Sequence, residues 1–404
     1  MAERPLFADG KAFVSSGDRF ETGDRDHLFD HDKHGTRGAA VKELRGKYNT
    51  AIVYADEVEP SAAGQITALC DQRFSEGSRI RIMPDVHAGK GCTVGTTMTL
   101  TDKTVPNLVG VDIGCGMLCI KLRDKRIVFS KLDKLIRGNV PSGMKIREKR
   151  HRFADGIDLG DFVCARHVQQ DRAYLSIGSL GGGNHFIEVD RDGDGCLYLV
   201  IHSGSRHLGV EVAGHYQKIA GEKRPADVPF ELAYVEGQAY ADYLHDMTLC
   251  TEFAALNRRA IADEIIKGMK LKKDDEFTTV HNYIDIESGI LRKGSVSARK
   301  GERLLIPLNM RDGSLVCTGR GNPEWNYSAP HGAGRILSRS KAKESITLSA
   351  FKLSMEGIYS TSVSKETIDE SPQVYKPAET ILAAIGGTVE VNAAIRSVYN
   401  YKAV

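Results

Sequence analysis

Five stretches of this chain set imidazole, thiol or carboxylate groups beside glycine or at the end of an apolar run. Val111-Asp-Ile-Gly-Cys-Gly116 puts a carboxylate and a thiol three residues apart. The turn Ser179-Leu-Gly-Gly-Gly-Asn-His185 ends in a histidine. His202 follows 17 residues later, where the apolar run Cys196–Ile201 stops at His202-Ser-Gly-Ser-Arg206. His281 heads the polar segment His281-Asn-Tyr-Ile-Asp285. Glycine lets a backbone bend sharply and approach a ligand closely. Imidazole, thiolate and carboxylate together suit a divalent first-row metal, and five such groups exceed one tetrahedral site; a thiolate can also bridge two ions. Taken singly, each histidine is more often a satisfied core or surface group. The metal reading rests on all four loci interrupting glycine-rich or strand-end segments. The fifth stretch, Asn326-Tyr-Ser-Ala-Pro-His-Gly-Ala-Gly-Arg335, places His331 before a Gly-x-Gly-Arg turn. Backbone N–H groups and a guanidinium beside a ring nitrogen make a seat for phosphate. The plainer account is a tight turn entering a helix near 336–344.

The elements that must hold these residues belong to an ordinary globular chain. Its 404 residues correspond to two domains or one large one. With 55 basic and 53 acidic residues, 41% hydrophobic and 27% charged content, it is not a disordered, collagenous or histone-like chain. The longest apolar runs, Leu197–Ile201 and Ile381–Ile385, fall far short of the ~20 residues a membrane helix needs. Met1–Gly10 lacks the layout of a signal peptide, so the expectation is a cytoplasmic protein with no membrane partner. The eight cysteines are scattered without a CxxC pair, which predicts buried thiols with one metal ligand or reactive thiol rather than a disulfide framework.

Short β-like runs alternate with glycine turns: Arg79–Met83, Cys92–Leu100, Met117–Leu122, Cys196–Ile201, Leu304–Pro307 and Leu315–Thr318. A long helix is predicted over about 231–270, from the recurrence of Tyr240, Tyr243, Leu244, Met247, Phe253 and Leu256. Pro377 opens a shorter one over Ala378–Ile385, stopped by Gly386-Gly387. Helices and strands do not alternate regularly, which speaks against a doubly wound sheet or a TIM barrel. The fold class is therefore α+β: a single large domain with mixed β-sheets and surrounding helices. The first 45 residues read as a polar N-terminal arm, and 46–404 as the catalytic domain. His27, His31 and His34 in that arm fit an exposed polar tract better than a metal site. Lys121–Arg152 holds twelve basic residues against three acids, and Leu291–Arg303 five against one. Either is a solvated face by default; together they hint at a polyanionic partner.

Seven segments, in order from about residue 80 to the C-terminus, resemble the RtcB family of GTP- and manganese-dependent RNA ligases. They are Met83-Pro-Asp-Val-His87-Ala-Gly-Lys-Gly, Gly110-Val-Asp-Ile-Gly-Cys-Gly116, Gly181-Gly-Gly-Asn-His-Phe-Ile-Glu188, His202-Ser-Gly-Ser-Arg206, His281-Asn-Tyr283, Arg292-Lys-Gly-Ser-Val-Ser-Ala298 and Ser328-Ala-Pro-His-Gly-Ala-Gly-Arg335. The resemblance implies two manganese ions bridged by Cys115, with Asp112 and His185 on one and His202 and His281 on the other. His331 resembles the nucleophile that takes GMP from GTP, and Asp85 the carboxylate that orients its ring. Asn184, Phe186, Glu188, Asn309, Ser314, Gly332, Gly334 and Lys402 fall on nucleotide-pocket positions. Glu188, an acceptor when ionised, matches the N1–H and N2–H₂ donors of guanine. Arg206 and Arg335 would hold phosphates.

The implied reaction joins an RNA 3′-phosphate, or a 2′,3′-cyclic phosphate opened by hydrolysis, to a 5′-hydroxyl. It would pass through GMP–histidine and a 3′-(pp)G activated end, and a small activating protein is an allowed partner. The chain also departs from the family pattern. Pro307-Leu-Asn-Met-Arg311 stands where Pro-Gly-Ser-Met-Gly is common, His207 where glycine is common, and residues follow Lys402. These mark a divergent branch. The residues by themselves leave open a dimetal phosphoester hydrolase without covalent nucleotide, and a non-catalytic RNA-binding scaffold.

Overall fold

A computed structural model describes residues 41–403, and the polar tract with His27, His31 and His34 lies outside them. Lys42–Arg45, at the end of the sequence-defined arm, is a strand paired antiparallel with Thr50–Val53. The architecture is mixed α+β, built on two sheets. The six-stranded sheet runs Lys42–Arg45, Thr50–Val53, Ile80–His87, Val94–Thr99, Ile290–Lys293, Asn282–Asp285. The seven-stranded antiparallel sheet runs Lys273–Val280, Gly116–Leu122, Leu197–Ser203, Phe186–Arg191, Val389–Lys402, Gly313–Gly319, Arg303–Asn309.

The larger sheet curls until its two edges meet. Leu305 N donates to Thr279 Oγ1 (3.1 Å), and Arg303 pairs with Asp275 across the gap. Period-2 alternation then sorts its side chains. Leu118, Ile120, Ile187, Val189, Leu199 and Ile201 face outward onto the helix Phe129–Asn139 and Ile261 and Ile265 of the long helix. Met117, Cys119, Phe186, Val200, Leu305 and Ile395 fill the inside of the curl. Glu188 shares the Phe186 face, so alternation alone carries its carboxylate into the interior.

The long helix is Gly237–Met269, within the predicted span, and the shorter one is Ala378–Ile385 as expected. Tyr243, Met247, Cys250 and Phe253 on the long helix pack with Leu208, Val212 and Tyr216 of the helix Arg206–Lys223 into the largest core cluster. The helix expected near 336–344 begins only at Arg339, because Ser338 caps it there and Arg335 is first held as a bridge to Tyr375. All eight cysteines are free, and seven are buried. Among the described residues no helix is long and apolar enough to cross a membrane.

Candidate active site

The strand ends Gly116 and Ser203 lie side by side, being register partners in the curled sheet. Cys115 precedes the first and His202 is part of the second, so strand pairing brings together two groups 87 residues apart. Cys115 Sγ is 3.3 Å from His202 Nε2 and 3.4 Å from His185 Nε2. His281 Nε2 lies 3.4 Å from His202 Nε2, and Asp112 Oδ2 lies 3.0 Å from His185 Nε2. All five proposed ligands therefore converge, three of them within 4.8 Å of one another.

The surroundings fix which atoms offer lone pairs. His185 Nδ1 sits 2.9 Å from Leu180 O and His202 Nδ1 sits 3.2 Å from Asn184 O. A carbonyl only accepts, so both rings carry their proton on Nδ1 and turn Nε2 inward. Burial holds His202 well below the usual histidine range, with the neighbouring His185 adding to this; burial does the same to His281, with His331 adding to it. Burial and the Asp112 charge push the Cys115 thiol far up. Asp112 is held at about 2: burial opposes ionisation, but the His185 hydrogen bond and charge outweigh it. Inward lone pairs, a thiol and a carboxylate crowded this closely repel unless a proton or a cation lies between them. The donor set fits a divalent metal, with backbone carbonyls fixing the ring tautomers from behind.

His331 stands beside this cluster, its ring centroid 5.0 Å from that of His281. Asp85 Oδ2 lies 2.6 Å from His331 Nδ1 and also accepts from His331 N (3.1 Å). Asp85 is fully buried in the strand Ile80–His87. Gly334, at φ 75°, lets the loop after His331 press against Asp85, whose carbonyl any Cβ at 334 would strike. Gly181, at φ 90°, plays the same part in the other loop: a Cβ there would collide with the Arg206 guanidinium.

A cavity of about 520 Å³ opens over His331. Asn184, Phe186, Glu188, Asn309, Gly332, Gly334, Arg335 and Lys402 line it together with His202. Ser314 does not: it is buried in the sheet opposite Pro307, behind the wall. Glu188 accepts from Asn400 Nδ2, and burial pushes its carboxyl up to about 7 against the Lys402 charge and the Asn400 bond. Lys402 Nζ is held by Glu370 (2.6 Å) and by Asn184 O (3.1 Å). Asn309 folds back on its own turn, accepting from Arg311 N and Asp312 N, while Arg311 pairs with Asp312. The departure at 309–311 thus forms a self-capped hairpin tip. Arg335 is engaged by Leu337 O, Asp369 O and Glu370. Arg206, at φ 59°, donates to Ser179 Oγ and Gly143 O, which ties the His185 loop to the basic segment.

The model of the family described as tRNA-splicing ligase RtcB matches this sequence over residues 75–161 and 160–403. The chain belongs to the RtcB family. It is 31% identical over 362 residues to the RNA-splicing ligase RtcB of Escherichia coli K12, covering 79% of this chain and 88% of that one. Similarity to the tRNA-splicing ligase RtcB of Aeropyrum pernix is 27% over 440 residues, covering 82% and 90%. The Thermococcus kodakarensis tRNA-splicing ligase RtcB is 27% identical over 402 residues, covering 75% and 83%. Identity at this level leaves room for the altered 307–311 tip within the RtcB scaffold.

Sequence reasoning missed two residues that hold the RtcB-type cluster together. Asn257 and Arg258 sit on the long helix, 0% and 1% exposed. Asn257 Oδ1 accepts from Gly178 N (2.8 Å) and Ser179 N (3.2 Å), while its Nδ2 donates to Ser203 Oγ (3.0 Å) and Gly204 O (3.1 Å). Arg258 Nη1 donates to Gly114 O (2.8 Å) and Ser203 O (2.9 Å). Burial lowers the guanidinium to about 10, opposed by the Cys115 and Asp112 charges. The available signal was two polar residues in phase with the helix's apolar stripe. Asn257→Ala should strand buried groups at about 1–3 kcal/mol each and lower divalent-metal affinity by roughly 10–100-fold. Calorimetric titration of Asn257→Ala against Phe253→Leu, a core change one turn earlier on the same helix that removes none of these hydrogen bonds, checks this: only the former should weaken metal binding.

Proposed function

We propose that this protein is a GTP-dependent RNA ligase that joins a 3′-phosphate or 2′,3′-cyclic phosphate end to a 5′-hydroxyl end through a GMP–His331 intermediate. The Asp85–His331 pair carries this reading. The buried carboxylate accepts from His331 Nδ1, so the ring keeps its proton there and offers Nε2 as the nucleophile. A dimetal phosphoester hydrolase forms no covalent nucleotide, so loss of the His331 ring would leave it largely active, whereas the ligase would lose its first step. The ion set implied by the family is two manganese ions, with Asp112, Cys115, His185, His202 and His281 as their ligands. Bound there, they would neutralise charge on phosphoryl oxygens.

The protein's own residues do the rest. Glu188 at the far wall of the cavity accepts from the guanine edge, and Phe186 gives the base an apolar surface. Lys402 is close enough to Glu370 and the Phe186 ring to fix the back of the pocket. His331 Nε2 attacks the α-phosphorus of GTP and pyrophosphate leaves. The GMP then moves to the RNA 3′-phosphate, and the 5′-hydroxyl displaces it to close the strand. Each transfer asks the protein for in-line positioning and charge neutralisation more than for new covalent chemistry.

The RNA path follows the basic segment. Gly143 N donates to Gly181 O, so Lys121–Arg152 runs beside the loop that carries His185. Arg147 and Arg152 are spent on Glu264 and Asp263, but Lys145 and Lys149 are exposed. The other basic run contributes less: Arg292 and Lys293 are buried, and Arg299 and Arg303 pair with acids. Lys145→Glu/Lys149→Glu should weaken RNA binding and flatten the salt dependence of the association constant, by about 0.7 in log–log slope per lost phosphate contact. Fluorescence anisotropy across a salt series measures it.

Incubation with α-³²P-GTP and manganese should give an acid-labile, base-stable protein label. The label should vanish in His331→Ala and fall sharply in Cys115→Ala; an unlabelled wild type that holds manganese would shift the reading to a hydrolase. Guanine binding should also depend on pH. Glu188 titrates near 7 and only its ionised form accepts both guanine donors, so GTP affinity should rise between pH 6 and 8. Equilibrium binding to Glu188→Gln should lose that rise.

A further inference from the structure

Sealing requires the 5′-hydroxyl to lose a proton as its oxygen bonds to phosphorus. We propose that His87 is the general base for this step, accepting that proton at Nε2 from a hydroxyl admitted through a second, smaller cavity beside His331. The inference rests on the ligase reading above and adds to it a catalytic residue and an entry side for the second RNA end.

The smaller cavity measures about 250 Å³ and reaches Asp112, Cys115 and His281. It shares three lining residues with the nucleotide cavity: His87, Asn184 and His331. In-line displacement puts the leaving group and the attacking oxygen on opposite sides of phosphorus. If GMP leaves into the large cavity, where Glu188 would hold its base, the attacking oxygen comes through the small one. A buried cation waits there. Lys293 Nζ donates to Asn107 O (2.9 Å) and to Lys90 O, and among the described residues no carboxylate pairs with it. Such a lysine suits the phosphodiester of an incoming strand.

Among the titratable groups lining this cavity, His87 has the chemistry of a base. It ends the strand Ile80–His87, two residues beyond the carboxylate that orients His331. Its Nδ1 lies 3.0 Å from Asp85 O; a carbonyl only accepts, so Nδ1 bears the proton and the Nε2 lone pair remains. Asp112, Cys115 and His281 are turned into the metal cluster, and His331 carries the nucleotide. Lys293, which burial lowers to about 8, is still mainly an ammonium at neutral pH and is occupied by two carbonyls, as is fitting for a phosphate contact beside Lys90. Burial keeps His87 below the usual histidine range, with the charges of His331 and Arg335 adding to this and the Asp85 carbonyl and carboxylate opposing it. Glu59 and Lys90 complete the charged groups nearby. A neutral imidazole at physiological pH is the form that takes a proton. In the step itself the 5′-O–H proton passes to Nε2 and the oxygen's electron pair forms the new O–P bond. The bond from that phosphorus to GMP breaks, and GMP leaves with its electron pair.

The decisive assay supplies a pre-formed 3′-(pp)G RNA and a 5′-hydroxyl RNA to wild type, His87→Asn and His87→Gln under single turnover, alongside α-³²P-GTP labelling. Asparagine keeps an N–H donor for Asp85 O without a basic nitrogen. Sealing by His87→Asn should fall roughly 10²–10⁴-fold and lose the wild-type rise of rate with pH, while label still forms and 3′-(pp)G ends accumulate from 3′-phosphate RNA. Sealing at the wild-type rate would overturn the proposal. So would a variant that seals the pre-activated end normally but no longer labels, since His87 would then only position Asp85 and His331. A wild type that never labels with GTP would instead overturn the ligase reading beneath it.

Discussion

Two adjacent side chains on one helix hold the active-site loops in register. Asn257 and Arg258 spend six hydrogen bonds on backbone and hydroxyl groups at Gly114, Gly178, Ser179, Ser203 and Gly204. Those positions sit beside Cys115, before His185 and after His202. Glycine-rich loops that turn inward bring backbone polar groups with them, and a buried polar group without a partner is costly. The helix supplies the partners from within the core, so the loops need not face water. Ligand atoms meet at 3.3–3.4 Å because their loops share this one rigid support.

The cost falls on the helix. A guanidinium in the core is tolerable because the thiol and carboxylate of the cluster lie near it and lower the penalty of its charge. Arg258 and the Cys115–Asp112 cluster therefore depend on one another: the cation steadies the loops, and the acidic groups steady the cation. The same logic recurs at Lys402 and Glu370, where burial opposes ionisation of Glu370 but Lys402 and Arg339 hold it at about 2. At both places an interior charge sits beside its opposite.

The curl of the seven-stranded sheet does the remaining positioning. Alternation along Phe186–Arg191 sends Ile187 and Val189 to the helices and Phe186 and Glu188 to the interior. Closing the edges through Arg303–Asp275 and Leu305–Thr279 turns that interior face into one wall of a cavity. The other walls come from the His331 loop and the Pro307–Met310 tip, so the strand that would select the base and the histidine that would take the nucleotide belong to different parts of the chain.

Much of this was legible in the residues. A glycine-rich turn or a strand end at each histidine, cysteine or aspartate marked the candidate ligands, because such turns let these groups meet. The long helix followed from apolar periodicity, Ala378–Ile385 from Pro377 and Gly386-Gly387 at its ends, and six strands from short apolar runs between glycine turns; the seven ordered segments matched a family. Other assignments needed the folded chain. Asn257 and Arg258 look like ordinary helix residues until the core shows what they bond. Arg335 and Asn309 align with ligand-binding positions, yet Asp369, Glu370 and the Arg311–Asp312 turn already engage them. Arg292 and Lys293, read as part of a basic surface, are inside. His87 was one letter in a motif until two cavities were found to share it. Local sequence determined which groups can do chemistry and where the backbone must bend, since those depend on neighbours along the chain. Which groups are free to act was decided by burial and by partners tens to hundreds of residues away, and only the packed structure brings those into contact.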